Sequence, residues 1–592
     1  MQLISHKSTN LTIAQKLFIE KSLESLYLGS IDSYRVRLNN PKTILIELKY
    51  CLQEFQAKRI KHFHTIKSKD KKTIIDEALV LLKYPVNFLE FNLLSKVYIL
   101  RLLKDTDEFN YKKTISALDL LLNDNENYLT AVIEGLQELI TQSDGNFEDL
   151  EKIDIAINIL FSELINRGYS KGFLYRLIYG IFVGSSTSDS FDEHFKSFTT
   201  RVLAKPNEWS VIFRIDTTKK VYEAISEIKD PALEISDFVS HRKLSGKLEN
   251  ELERFNAKGK ATKFIKCTTT ATDYLAALKR ARSILSEYLD VINLGLSDEF
   301  LRIHHRALVE DINLPENAKF QNNVNILDGK YTVEKNHYLG FTKKLPTILS
   351  NENVQSETKE KLKSAIRYLR LGNQSTEVEH KFLNYWIGLE YLFSNYESHS
   401  TIDRIKVHFI NAHSLAYVKR NLYSLKKAFN KISESLKAKI TSYTDDFSCL
   451  SAEEFYKEIG ENLRSEYPIL SYRALKLHRW FFSSAKAPNA CDYLKKHKEN
   501  LEIHFTRIYR LRNEIIHDAA TDTNNEQIAS NLRYYLTFIL NEIIDFLSKN
   551  SKKEISVEDY FILNEIQIGD IAQNGYLLRN LLDVDCSLDF IS

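Results

Sequence analysis

Proline most constrains what this chain can fold into. Eight prolines punctuate 592 residues, at 41, 85, 206, 231, 315, 346, 468 and 488, so 86–205 and 347–467 contain none. A proline inside a helix removes a backbone hydrogen bond and clashes with the preceding turn, so proline-free stretches of this length can hold long packed helices. Glycine is also scarce, 17 in all, which argues against a many-turned β-sandwich. From Leu11 to about Phe182 the pattern is helical. EDLEKIDIAINILFSELINRG repeats apolar residues at helical spacing and ends on Gly168, a plausible cap. The period changes between Pro206 and about Pro346. EWSVIFRID around Val211–Ile215 and ATKFIKCT around Phe264–Cys267 alternate as half-buried strands do, and Asp328-Gly329 in NILDGKYTV predicts a hairpin. Between these, TDYLAALKRARSILSEYLDVINLG reads as a helix, and the chain turns helical again until about Lys549. The expectation is a mainly α, multidomain protein. It has a helical N-terminal region (1–200), an α+β middle region (201–350), a helical domain (351–550) and an acidic C-terminal tail (551–592).

Charge and cysteine usage narrow the class. The 81 basic and 79 acidic residues leave a net +2, which excludes a globally basic nucleic-acid coat protein. Five scattered cysteines, with no CxxC and no zinc spacing, predict free thiols in a reducing compartment and no metal. The start MQLISHKSTNLTIAQKLF lacks the pattern of a signal peptide, and YLTFILNEIIDFL is broken by Asn541, Glu542 and Asp545. A cytoplasmic protein with no membrane partner is therefore expected. Residues 551–592 hold three basic and eight acidic residues, a solvated edge or a shield for a basic surface.

The stretch that carries chemistry is HFTRIYRLRNEIIHDAATDTNNEQ, residues 504–527. An Arg followed five residues later by a His occurs at Arg59/His64, Arg473/His478 and Arg512/His517, so spacing alone selects nothing. Helical context does. Leu501, Phe505, Ile508, Arg512 and Ile515 fall on one stripe, which puts Arg512 where an apolar side chain belongs. A guanidinium there needs an anion, an interface or a groove. Asn513 and His517 lie ~40° apart around such a helix, Arg512 and His517 ~140°. Residues 473–512 hold ten basic residues against three acidic ones. That local excess marks Arg473, Lys476, Arg479, Arg507 and Arg510 as candidate RNA contacts. Trp480, Phe481, Phe482 and Tyr509 interleave with it, as core or as stacking platforms. The Arg59/His64 segment, with seven basic residues and one acidic residue over 58–72, is at most a contact surface.

RIYRLRNEIIHDA resembles the signature of HEPN domains, specifically the Apea-like group, whose pattern runs approximately RlYxlRNxivH. Upstream, TEVEHKFLNYWIGLEYLFS is similar to that family's first core helix. Its stripe is Val378, Phe382, Trp386, Leu389 and Phe393, and Thr376 with Glu379 makes a capping box. QIASNLRYYLTFILNEIIDFLSK is similar to the family's long final helix, so the resemblance spans roughly 355–550. INRGYS near 166–170 and TDYLAALKRA near 272–281 resemble upstream regions of long Apea-like proteins.

The resemblance implies a metal-independent, cofactor-free endoribonuclease acting on RNA such as tRNA or mRNA. Such proteins are often toxins or abortive-infection effectors against phage, and they work as homodimers whose two motifs line one cleft. It assigns His517 as general base or acid and Arg512 as the phosphate clamp. Asn513 would orient the His or the phosphate, and Glu390 would hold the Arg. Residues 1–345 would then sense or regulate, with a phage-derived trigger as partner. The rival reading is a non-catalytic HEPN module that binds nucleotides or dimerises. A third makes the whole chain a helical scaffold.

Overall fold

The structure, a computed structural model, describes residues 4, 10–27, 39–68, 72–184, 190–227, 233–240, 246–257, 261–295, 299, 301–314, 317–322, 335–375, 377–394, 401–482, 489–518, 526–550, 552–573 and 578–586. The side chains of 247, 290–295, 335–341, 489–493, 517 and 518 fall outside that description. The chain is mainly helical with one small antiparallel sheet. It forms two compact units where four consecutive segments were expected. The first combines 1–163, 182–191 and 329–592; the second holds 164–181 and 192–328. Both ends of the sequence thus build one unit.

The first unit begins with α1 (Ile13–Leu26), α2 (Pro41–Gln56) and α3 (Ile74–Leu82). Each starts on a local signal. Thr12 Oγ1 accepts from Gln15 N while Gln15 Oε1 accepts from Thr12 N. Asn40 caps α2 through the amides of Lys42 and Thr43, and Pro41 fills the first position, where no amide is missed. Further helices lead to α4 (Phe147–Asn166), the periodic run seen in the sequence. It ends as expected at Gly168, whose φ of 95° belongs to the left-handed region and whose amide bonds back to Ile165.

In the second unit α5 (Lys171–Tyr179) and α6 (Phe191–Val202, from Asp192 onward) lead into the sheet. The strands are β1 (Asn207–Thr217), β2 (Leu233–Ser236), β3 (Thr262–Ala271), β4 (Leu301–Asp311) and β5 (Lys319–Asn322), in the order β2-β3-β1-β4-β5. Helices α7 (Lys247–Asn256) and α8 (Tyr274–Gly295) lie between strands in sequence. The two strands and the helix read from alternation are present, with Val211 opposite Cys267 and Phe213 opposite Ile265. Register sends Ile212, Phe264 and Leu308 to one face, where Leu252 and Phe255 of α7 cover them. The expected hairpin at Asp328-Gly329 lies outside the described residues.

The chain then re-enters the first unit with α9 (Ser356–Gln374), α10 (Val378–Phe393), α11 (Ile410–Phe429), α12 (Pro468–Phe481), α13 (Asn489–Asp518) and α14 (Glu526–Lys549). Of the expected stripe of α10, Phe382, Trp386, Leu389 and Phe393 are buried and Val378 is half-buried. Thr376 of its expected capping box lies outside the described residues. A Cβ on Gly388 would stand 3.0 Å from Leu536 and 3.3 Å from the Ala365 carbonyl, so α9, α10 and α14 meet closely there and a larger residue requires its neighbours to give way. A buried ion pair, Arg420 to Glu542 at 2.5 Å, ties α11 to α14.

Residues 551–592 are not the detached acidic tail that charge predicted. They continue as α15 (Val557–Gln573) and α16 (Leu578–Asp583). Phe561 stacks on Phe393 at 4.7 Å, Leu581 is fully buried, and Glu558 takes Arg404 at 2.8 Å through both oxygens. The acids that made the segment look solvated are in part committed partners. Among the described residues no helix is long and apolar enough to cross a membrane.

Candidate functional site

Leu501, Phe505, Ile508, Leu511 and Ile515 anchor the thirty-residue helix α13. Leu511 takes the apolar place that the sequence pattern gave to Arg512, and Arg512 sits half-buried at the margin of the stripe. Its Nη1 donates to Asn513 Oδ1 at 3.1 Å. Its Nε is buried and finds no acceptor among the described residues. An unspent buried donor costs about 1–3 kcal/mol, a cost that an acceptor would remove.

Asn513 therefore gives its amide oxygen to Arg512, which makes it an orienting partner of the Arg and leaves its NH₂ to donate elsewhere. Glu390, expected to hold the Arg, accepts through Oε2 from Trp386 Nε1 at 3.0 Å, one turn back on α10. Trp386 in turn meets the Tyr509 ring of α13 at 6.0 Å. His517 lies on the last turn of α13 and its side chain falls outside the described residues. The other histidine of the motif stretch, His504, is half-buried. Its Nδ1 meets Tyr535 Oη at 2.7 Å, and burial with the nearby Arg507 charge pushes its pKa down to about 3. It is a neutral imidazole near pH 7.

The five expected RNA contacts are all met within the chain. Arg473 pairs with Glu24, Lys476 with Asp154 at 3.4 Å, and Arg479 with Glu148 at 2.5 Å. Arg507 takes both Glu47 oxygens at 3.0 Å and Glu77 at 2.5 Å, and Arg510 pairs with Glu47 and with Glu514. Burial alone would raise the Glu47 carboxyl, but Arg507 and Arg510 outweigh it and hold it well below the usual carboxylate range. The expected basic surface counted charges along the sequence. The compensating carboxylates come from α1, α2, α3 and α4, more than 300 residues away. Lys476 also lines a cavity of about 420 Å³ with Asn158, Tyr417, Trp480, Lys496 and His497.

The two other Arg–His pairs have structural employment: Arg59 binds Glu54, and His478 Nε2 meets Glu453 at 2.9 Å. Glu47 and Glu77, which fix the helix just before the motif, were missed because nothing local to 504–517 points to them. Compared with known proteins, the chain matches no family model, no curated protein and no solved structure.

Proposed function

We propose that the chain is a metal-independent endoribonuclease of the HEPN type, with Arg512, Asn513 and His517 as its working residues. The observation that carries this reading is the half-buried Arg512, oriented by Asn513 and with a buried Nε that has no acceptor among the described residues. A phosphodiester oxygen supplies that acceptor, and the guanidinium fork suits it geometrically. His517 removes the proton from the RNA 2′-hydroxyl. The 2′-oxygen attacks phosphorus, the bond to the 5′-oxygen breaks, and a protonated histidine returns a proton to that oxygen. Arg512 holds the charge that develops on the phosphoryl oxygens. The products are a 2′,3′-cyclic phosphate and a 5′-hydroxyl.

Arg512 and His517 lie ~140° apart around one helix, which favours a homodimer in which two copies of α13 face each other. Ile516 on α13, with Ile387 and Tyr391 on α10, is exposed, the kind of apolar surface a second copy covers. The substrate would be tRNA or mRNA. The setting would be cytoplasmic phage defence by a toxin or abortive-infection effector, released by a phage-derived trigger acting through the N-terminal helices. The internal neutralisation of all five expected RNA contacts favours a second reading, a non-catalytic HEPN module that binds nucleotides or dimerises. The test is cleavage of total RNA and tRNA by purified protein in EDTA, beside Arg512→Ala and His517→Ala. Chelator-resistant cuts with cyclic-phosphate ends, lost in both variants, support the enzyme. Equal cleavage by wild type and variants removes these residues from the mechanism.

A further inference from the structure

The second unit holds a group of cations around one tyrosine. Tyr274, the first residue of α8, is flanked by two of them. The Arg176 guanidinium carbon lies 5.8 Å from the ring centroid and the Lys319 ammonium 4.8 Å. Arg176 also donates to Tyr274 Oη. Arg201, on the last turn of α6, is close enough for its charge, after burial and together with Arg176, to lower the pKa of Lys319. Its backbone is fixed by Tyr169, whose hydroxyl donates to the Arg201 carbonyl at 3.3 Å and to the Val202 carbonyl at 3.2 Å.

No carboxylate pairs with these three cations among the described residues. The acid next in sequence, Asp273, is fully buried and already committed. It accepts from Ser170 N and Oγ at 2.8 Å and from the amides of Leu275 at 2.9 Å and Ala276 at 3.0 Å. Elsewhere in the unit cations have acids: Lys263 has Asp237, Lys266 has Glu234, Arg306 has Glu251 and Lys220 has Glu299. Like charges gathered without a counterion repel, and the arrangement is stabilised when an anion joins it.

We propose that Arg176, Lys319 and Tyr274 form a phosphate-binding site on the α+β unit, with the charge of Arg201 nearby. A guanidinium fork, an ammonium and a phenol suit the oxygens of a phosphate ester: two planar donors, one point charge and one hydroxyl. Tyr274 Oη accepts from Arg176, so its own proton is free to donate. The site does not depend on the ribonuclease reading, because it binds whether or not Arg512 and His517 cleave.

The experiment uses the full chain with His517→Ala, so that RNA is not consumed, and compares it with Arg176→Gln/Lys319→Gln and with Tyr274→Phe in the same background. Circular dichroism melts establish that the variants fold. One arm follows anisotropy of a fluorescein-labelled single-stranded RNA across a chloride series. The other follows the melting temperature in inorganic phosphate against chloride of equal ionic strength. If the phosphate is that of an RNA chain, the double variant binds roughly tenfold more weakly. The slope of log affinity against log salt then falls by about 0.7 for each phosphate that is no longer neutralised. If it is a free phosphate, RNA binding is unchanged, but inorganic phosphate raises the melting temperature of the parent and not of the double variant. RNA affinity and phosphate response both equal in parent and double variant would overturn the proposal.

Discussion

Arg512 shows how far single residues can be read from a sequence. Its displacement from the apolar stripe is visible in the spacing of α13, because a helix face is a local property. The place of Asn513 beside it is equally local. What spacing could not show is that Leu511 fills the core position and that the buried Arg512 Nε has no acceptor among the described residues. That unspent donor makes a prediction in two parts. Arg512→Met removes the unsatisfied group while keeping the aliphatic stem, so the variant melts at the parent temperature or a few degrees above it. RNA cleavage falls by about 10²–10³-fold, as when a charge-stabilising donor is lost. A variant that loses stability in step with activity would instead assign Arg512 to the core. His504 makes a prediction about pH. Burial pushes its folded pKa down to about 3, whereas an unfolded histidine titrates near 6.5. The unfolded chain therefore binds the proton that the folded one refuses. Stability is fully present above about pH 6.5 and is lost as pH falls below it, by up to roughly 1.4 kcal/mol per pH unit. Urea midpoints at pH 7.5 and 5.0 check this, and His504→Gln, which does not titrate, shows a smaller difference between the two.

Elements follow the same division. α4, α8, α10, α13 and α14 were legible because each carries its own period over many residues. β1 and β3 were legible because alternation is strong there. β4 was not: LRIHHRALVED interrupts its apolar residues with Arg302, His304, His305 and Arg306, and its pairing with β1 and β5 makes it a strand. The packing of one element on another was the least legible. α13 is held to α2 and α3 by Glu47 and Glu77, and the pairing buries Arg507 to 8% exposure. Removing one member of a buried ion pair leaves an uncompensated charge and costs about 3–5 kcal/mol. Glu47→Ala is thus expected to lower stability by several kcal/mol in chemical denaturation. Glu148→Ala, whose partner Arg479 stands at the surface, leaves the denaturation midpoint nearly unchanged. Equal effects from the two would mean that the pairing of α2 with α13 does not organise the motif helix. Gly388→Leu tests the other fixed approach: the added side chain meets Leu536 and the Ala365 carbonyl, and the expected cost is about 1–3 kcal/mol or more.

At the scale of the whole molecule, a segment's composition said little about its place. The last forty residues are acidic, and acidity alone predicts a solvated edge. Their helical content goes unnoticed because Val557, Phe561, Ile571 and Leu581 are interleaved with the charges. Those apolar residues are buried in the first unit, and Val557 N donates to Thr358 Oγ1 while Glu558 holds Arg404. Full burial of each large apolar side chain is worth about 1.5–3 kcal/mol, and a folded protein has only about 5–15 kcal/mol to lose. Deleting 551–592 therefore uncovers Phe393, strips Arg404 of its carboxylate, and is expected to leave a chain that aggregates or is rapidly cut by trypsin within 401–482. A dispensable acidic edge predicts the opposite, an unchanged melting temperature and an unchanged digest. Phe561→Ala separates folding from any other role of the segment. It keeps every charge and removes only the ring stacked on Phe393, so a loss of about 3–5 kcal/mol locates the effect in packing. If the deletion were tolerated, 351–550 would stand closer to an independent domain. If it unfolds the chain, the region that resembles a HEPN domain is stable only with the helices that follow it.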